Sequence, residues 1–384
     1  MNPHIIYLDH AAATPLDDRV LAAMQPYFAA DFFNPSSPYA PAVRVRRQYE
    51  AAKGQIAQAI GGKANDITIT AGATESINIM FASVDGHVVT TNIEHHAVLQ
   101  AAKLHQHSLV QPNEKGIVSA QAIAAAIRPD TELVSVHLAN NELGTIQPLR
   151  DIATVVRAER QRRAIAGEAR PIYFHSDASQ GLGQIDVHVS RLGVDALTLN
   201  AGKIYGPKQV GCLWTDSFVL LRPLVHGGGQ ESGVRSGTEN VAGVVGFAQA
   251  IQLATQHMGG ESKRLAALRD GLESTLTTAF PQAIVSGSHK KRLPGHLHIS
   301  LPGIDAERLV FMLETRGVMV ATGSACAANN GTRSHVLTAI GLAPQVADGS
   351  LRLTLGRLSN QNNIAEAAAI LVEVISSEME RVGK

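Results

Sequence analysis

The 384-residue chain is longer than one ordinary hydrophobic core serves, so two or three domains are expected. Apolar residues make up 45% and charged residues 17%, which excludes a disordered chain and describes a globular one with ample core. Lysine plus arginine equals aspartate plus glutamate at 33 each, a balance that gives no support to direct nucleic-acid or membrane binding.

The first residues, Met1-Asn2-Pro3-His4-Ile5-Ile6-Tyr7-Leu8-Asp9, lack a basic region followed by an apolar run, so no secretion signal is read there. Helical spacing of apolar residues over 41–60 predicts the first long helix. Short apolar runs then recur at 66–70, 87–91, 132–138, 171–176, 194–199 and 210–214, as buried strands do. Helical patterns at 95–106 and 148–163 lie between them. The alternation predicts an α/β core with a mainly parallel sheet, whose ligands gather at the carboxyl ends of the strands. Within 148–163 the basic stretch Arg157-Ala158-Glu159-Arg160-Gln161-Arg162-Arg163 reads as a solvated helix face. After about residue 260 the pattern changes to a helix at 262–279, apolar runs at 296–301, 318–322 and 350–355, and a closing helix near 361–380. This predicts a large domain over 15–260 and a smaller α+β domain built from 1–14 and 261–384. No run approaches the roughly 20 apolar residues of a membrane span.

Chemistry-bearing residues fall at strand ends. Lys203 follows the run 194–199, and Asp177 ends the run before it, in Tyr173-Phe174-His175-Ser176-Asp177. An amine on a turn beside a carboxylate suits pyridoxal phosphate: the amine condenses with its aldehyde, and the carboxylate keeps its ring nitrogen protonated. Gly72-Ala73-Thr74-Glu75-Ser76 reads as a turn into a helix start, a natural phosphate seat, although a plain capped helix would look the same. His95 opens a helix and could stack on a planar ring or exchange protons. Its neighbour His96 does not make a metal pair with it, because adjacent helical side chains diverge. Asn141 and Gln180 are uncharged donors suited to a phenolate oxygen. Arg352, midway along a strand-like run, needs a partner, either a substrate carboxylate or an internal salt bridge. Cys326 lies in a loop of small and polar residues and reads as exposed and reactive, whereas Cys212 within a strand reads as a core thiol. Two cysteines cannot build a disulfide framework, which points to a reducing compartment, the cytoplasm.

Taken together, these motifs resemble the group I cysteine desulfurases, the NifS/IscS type of fold-type I pyridoxal phosphate enzymes in the class V aminotransferase family. The resemblance runs from Tyr7-Leu8-Asp9-His10-Ala11-Ala12-Ala13-Thr14-Pro15 and Asn34-Pro35-Ser36-Ser37 through His137-Leu138-Ala139-Asn140-Asn141-Glu142-Leu143-Gly144 and Lys203-Ile204-Tyr205-Gly206-Pro207-Lys208. It continues to Arg235-Ser236-Gly237-Thr238, Gly323-Ser324-Ala325-Cys326 and Leu355-Gly356-Arg357. It implies that Lys203 holds the cofactor and shuttles the substrate α-proton, that Asp177 pairs with the ring nitrogen, and that His95 stacks on the ring. Gln180 would bond the phenolate oxygen, and Thr74 the phosphate, joined by Thr238 of the partner subunit in a homodimer. Asn34, Asn141 and Arg352 would engage the carboxylate of L-cysteine, with Asn141 also near the ring. Cys326 would take the sulfur as a persulfide and pass it to an acceptor protein, such as an iron-sulfur scaffold or a tRNA-thiolation protein. Alternatives that keep the cofactor are selenocysteine lyase and aminotransferase; a non-catalytic partner-binding homologue is a third.

Two departures from the family pattern stand out. Where relatives have Ser-Gly-His-Lys, this chain has Asn200-Ala201-Gly202-Lys203, which leaves Asn200 as the donor toward the phosphate and removes a histidine. A charge-assisted contact contributes about 1.5–3 kcal/mol, so cofactor retention roughly tenfold to a hundredfold weaker is expected. The closing helix ends at Glu380-Arg381-Val382-Gly383-Lys384, where relatives often extend to dock a cluster scaffold.

Overall fold

The computed structural model describes residues 5–322 and 333–383. Its strands are β1 (Ile6–Tyr7), β2 (Ile67–Thr70), β3 (His87–Thr91), β4 (His107–Val110), β5 (Thr131–Ser135), β6 (Tyr173–Asp177) and β7 (Ala196–Asn200), followed by β8 (Gly211–Thr215), β9 (Ile284–Val285), β10 (His296–Ser300), β11 (Val318–Met319), β12 (Ala321–Thr322) and β13 (Ser350–Thr354).

Seven of them form one sheet in the order β2-β8-β7-β6-β5-β3-β4. Every pair from β7 to β4 is parallel, and only β8 runs against its two neighbours, β7 and β2. The middle strands are buried along almost their whole length, as strands covered by helices on both faces must be. The α/β architecture with a mainly parallel sheet is therefore the one the sequence predicts. The expected strands sit within a few residues of their observed positions. β4 was not expected. It lies at the sheet edge against β3 alone, is mostly part-exposed, and has only two apolar residues, so its run is too weak to read. The helix anticipated over 95–106 stops at Ala102 to let the chain return as β4.

A second, antiparallel sheet has the order β12-β13-β10-β9. The first residues join this half of the molecule: β1 pairs in parallel with β11, and Asp9 bridges to Thr354. One apolar core gathers Ile56, Val134, Phe174, Leu199 and Phe247 around the large sheet. Another joins Ile6 and Leu8 to Leu272, Leu297, Leu353 and Leu371. The basic stretch of the helix Leu149–Ile165 is not simply a solvated face. Arg163 is buried, where it donates to the carbonyls of Thr131 and Arg128 and pairs with Glu159 at 2.7 Å. Its guanidinium ties helix to sheet. Among the described residues no helix is long and apolar enough to cross a membrane.

Candidate active site

β2, β3, β5, β6 and β7 point the same way, so their carboxyl ends meet at one rim. After β2 the chain turns through Gly72, at φ +128°, into the helix Ala73–Ala82, whose first turn carries Thr74. After β3 comes His95, and after β5 Asn141. Asp177 ends β6, with Gln180 just beyond it; Asn200 ends β7, and Lys203 closes the short 3-10 turn that follows. Thr74, His95, Asn141, Asp177, Gln180, Asn200 and Lys203 line one cavity of about 230 Å³, and Arg352 from β13 closes it from the second sheet. Residues spread over nearly 280 positions thus share one site.

Lys203 Nζ donates to the carbonyls of Ala11 and Ala12, both at 2.8 Å, which holds the amine across the mouth of the cavity. Gln180 Nε2 donates to the same Ala11 carbonyl at 3.1 Å. Lys203, Gln180 and Ala11 also border a second cavity of about 270 Å³ on the other side, walled by His10, Tyr205, His296 and Arg357. Asp177 Oδ1 accepts from the Ser179 amide at 2.9 Å, a turn that fixes the carboxylate at the strand end. His95 caps its helix: Nδ1 accepts from the Ala97 amide at 3.1 Å. The neutral ring then carries its hydrogen on Nε2, leaving a donor for the cavity. Burial holds this imidazole below its ordinary pKa, opposed by Asp177 and aided by Lys203.

Around Arg352 the internal pair anticipated as one of two alternatives is made: Nη2 donates to Asp9 Oδ1 at 2.7 Å. Nη1 donates to the Asn141 carbonyl at 3.2 Å. The arginine nevertheless lines the same cavity as Lys203, so the pair does not remove it from the site. Several residues here went unassigned in the sequence. Glu142 is buried beside Asn141, with Oε2 accepting from Ser334 Oγ at 2.5 Å. Glu94 is buried behind His95; its carboxylate accepts from the His137 amide and from Thr91 Oγ1. Glu142 stands in the 137–144 motif quoted for its neighbour Asn141, and Glu94 directly precedes His95; an acid beside such a residue was the available signal. His335 packs on His96, ring centroids 4.8 Å apart, and the His95 and His96 rings lie 6.5 Å apart at 66° to each other.

Two expected residues, Asn34 and Thr238, are not brought to this cavity. Asn34 is exposed, with Oδ1 accepting from the Ser36 amide at 2.9 Å, and Thr238 is exposed on the loop before Asn240. Cys326 lies outside the described residues. Cys212 is fully buried in β8, and burial pushes its thiol well up.

The donor set fits pyridoxal phosphate. The N-terminus of the helix Ala73–Ala82 opens on the cavity and would suit a phosphate, while the Lys203 amine and the Asp177 carboxylate would suit the aldehyde and the ring nitrogen. Ser179 Oγ and His137 Nε2, both lining the cavity, are buried without a hydrogen-bond partner among the described residues, as polar walls awaiting a bound group would be.

The Aminotransferase class-V family profile matches residues 6–366. The chain belongs to the class-V aminotransferase family. Within that family it resembles cysteine desulfurases. It is 38% identical to Cysteine desulfurase IscS 1 of Archaeoglobus fulgidus, over 98% of this chain and 97% of that one. It is 37% identical to Cysteine desulfurase IscS of Dictyoglomus turgidum, over 96% and 94% of the two chains. A solved NifS-like protein superposes with a TM-score of 0.89 at 32% identity, covering 97% of this chain and all (100%) of the other. A structure of SspA in complex with cysteine matches with a TM-score of 0.76 at 32% identity, over 91% and 98% of the two chains.

The turn before the lysine, expected to depart from the family pattern, is held by Asn200. Asn200 Oδ1 accepts from the Gly202 amide at 3.0 Å and caps the 3-10 turn. A methyl group built on Gly72 would lie 3.9 Å from Asn200 Nδ2, so this amide is directed at the head of the helix Ala73–Ala82. Gly211 of β8 permits the same approach from beneath: a Cβ there would stand 2.7 Å from Gly72 Cα and 2.6 Å from the Leu199 carbonyl oxygen.

Proposed function

We infer that this chain is a pyridoxal-phosphate-dependent cysteine desulfurase, which converts L-cysteine to L-alanine and leaves the sulfur as a persulfide on Cys326. The observation that carries the reading is the meeting of Lys203, Asp177 and Arg352 in one cavity, in a chain that matches cysteine desulfurases end to end. SspA, a structural relative, was solved with cysteine, which supports that substrate.

When bound, pyridoxal phosphate supplies an aldehyde that captures amines and a protonated ring that withdraws electrons from the substrate α-carbon. Thr74 and the amides of the first turn after Gly72 would hold the phosphate, with Asn200 Nδ2 beside them. Asp177 would hold a proton on the ring nitrogen. His95 would sit against the ring and offer Nε2–H. Gln180 and Asn141 would donate toward its phenolate oxygen. Lys203 would supply the anchoring amine and, once free, carry the substrate α-proton. Arg352, with Asn141, would seat the α-carboxylate. The thiolate of Cys326 attacks the substrate sulfur; a sulfur–sulfur bond forms, the carbon–sulfur bond breaks, and its electron pair returns to carbon with a proton to give alanine.

A homodimer completes the reading, with Thr238 of the partner subunit reaching the phosphate and Asn34 the substrate end. The larger unit, 15–260, would carry the cofactor, and the smaller one, 1–14 with 261–384, the cysteine loop. The persulfide then passes to an acceptor protein in the cytoplasm, an iron-sulfur scaffold or a tRNA-thiolation protein. The test is alanine formation from L-cysteine with added pyridoxal phosphate and a reductant. Wild type yields alanine, Cys326→Ala almost none, and Lys203→Ala none. Equal alanine from wild type and Cys326→Ala would refute the persulfide step, and no alanine from wild type with bound cofactor would refute the substrate.

A further inference from the structure

Arg352 reaches the cavity already matched by a carboxylate. Asp9 Oδ1 takes Nη2 at 2.7 Å and the Asn141 carbonyl takes Nη1, while Nε is buried without a partner among the described residues. Glu142, the residue after Asn141, lines the same cavity and is only 2% exposed. Among the described residues its carboxyl accepts only from a neutral hydroxyl, Ser334 Oγ, at 2.5 Å. A substrate carboxylate seated on Arg352 therefore brings a third carboxyl to one guanidinium. Like charges enclosed together cannot all remain ionised, and the weakest acid of the set takes a proton. The α-carboxyl of an amino acid is intrinsically the strongest acid of the three. Asp9 is bonded directly to the guanidinium, and its side chain is 17% exposed to water. Glu142 has neither advantage.

We propose that Glu142 takes up a proton when the substrate binds, so that the α-carboxylate is seated on Arg352 together with a neutral Glu142. The proposal deepens the desulfurase reading and rests on Arg352 as the carboxylate partner. Burial already pushes Glu142 up to about 7, opposed by the Ser334 bond and the Arg352 charge. Across Arg352 stands His298, its cross-strand partner on β10, with His296 two residues away; burial keeps both neutral, so neither supplies a compensating charge. Asp177, Lys203, His95, His96, His137 and His335 share the cavity walls. Below about pH 7 Glu142 is protonated in advance and binding needs no proton. Above it, binding must draw a proton from solvent and weakens as pH rises.

The experiment uses the holoenzyme with L-alanine as competitive inhibitor, because alanine has no thiol to titrate. Between about pH 6.5 and about pH 8.5 the wild-type inhibition constant should rise about twenty-five-fold, and that of Glu142→Gln less than about twofold. Calorimetry of wild type at about pH 8, in two buffers of different ionisation enthalpy, should record proton uptake approaching one per site. Equal pH slopes in wild type and Glu142→Gln, or no buffer-dependent heat, overturn the proposal, and the calorimetry stands even if the variant fails to fold. Arg352→Gln tests the parent reading separately: it should weaken alanine at both pH values, and unchanged binding would remove Arg352 from the carboxylate site whatever the slopes show.

Discussion

Asn200 divides its side chain between two neighbours, Oδ1 to the Gly202 amide and Nδ2 toward Gly72. Asn200→Ala should lose both the cap and the donor near the phosphate seat. At about 1 kcal/mol for such a contact, cofactor retention should fall roughly fivefold to tenfold, read from the absorbance left after dialysis. At this scale the sequence was readable where chemistry is carried by residue type and local position: Lys203 and Asp177 stand at strand ends and arrive in one cavity. It was silent where chemistry depends on distant partners. Glu142 becomes unusual only because Ser334, 192 positions later, and Arg352 close over it. The Asp9–Arg352 pair spans 343 positions and remained one of two alternatives until the fold brought its halves together.

Between residues and the whole lies the approach of β8 to the cofactor turn. β8 runs against both neighbours and brings Gly211 beneath Gly72 with no room for a side chain. Gly211→Ala should therefore force β7, β8 or the turn apart. Overpacking of this kind costs about 1–3 kcal/mol, so the urea midpoint should drop and cofactor occupancy with it. An alanine variant with wild-type stability and occupancy would show that the contact relaxes freely. Most elements were visible in the sequence, since fully buried parallel strands are continuous apolar runs. β4 was not, because an edge strand buried on one side needs few apolar residues. The burial of Arg163 was also hidden, because its carbonyl partners come from β5 and the preceding turn rather than from its own helix.

Across the whole molecule, three enclosed histidines set an acid limit on stability. Burial lowers His175 to about 4, and His296 and His298 each to about 3. In the unfolded chain each takes a proton near its ordinary pKa, so between that value and the folded one the unfolded state binds more protons. The stability they confer is complete above about pH 6.5 and declines by up to about 1.4 kcal/mol per pH unit for each group as pH falls. The urea midpoint should drop between about pH 7 and about pH 5, and His298→Leu should flatten that slope. An unchanged slope would assign the acid limit to other groups. The bridge from Asp9 to Thr354 and the pair between Asp9 and Arg352 have a further consequence, which concerns order of synthesis. The seven-stranded sheet, with Lys203 and Asp177 on its rim, is complete once Thr215 has left the ribosome. Arg352 emerges well over a hundred residues later, and Asp9 waits for it throughout. During translation the rim that carries Lys203 and Asp177 is thus finished first and the Asp9–Arg352 pair last, so a nascent chain presents the proposed cofactor-anchoring residues well before it can assemble the proposed grip on an amino acid.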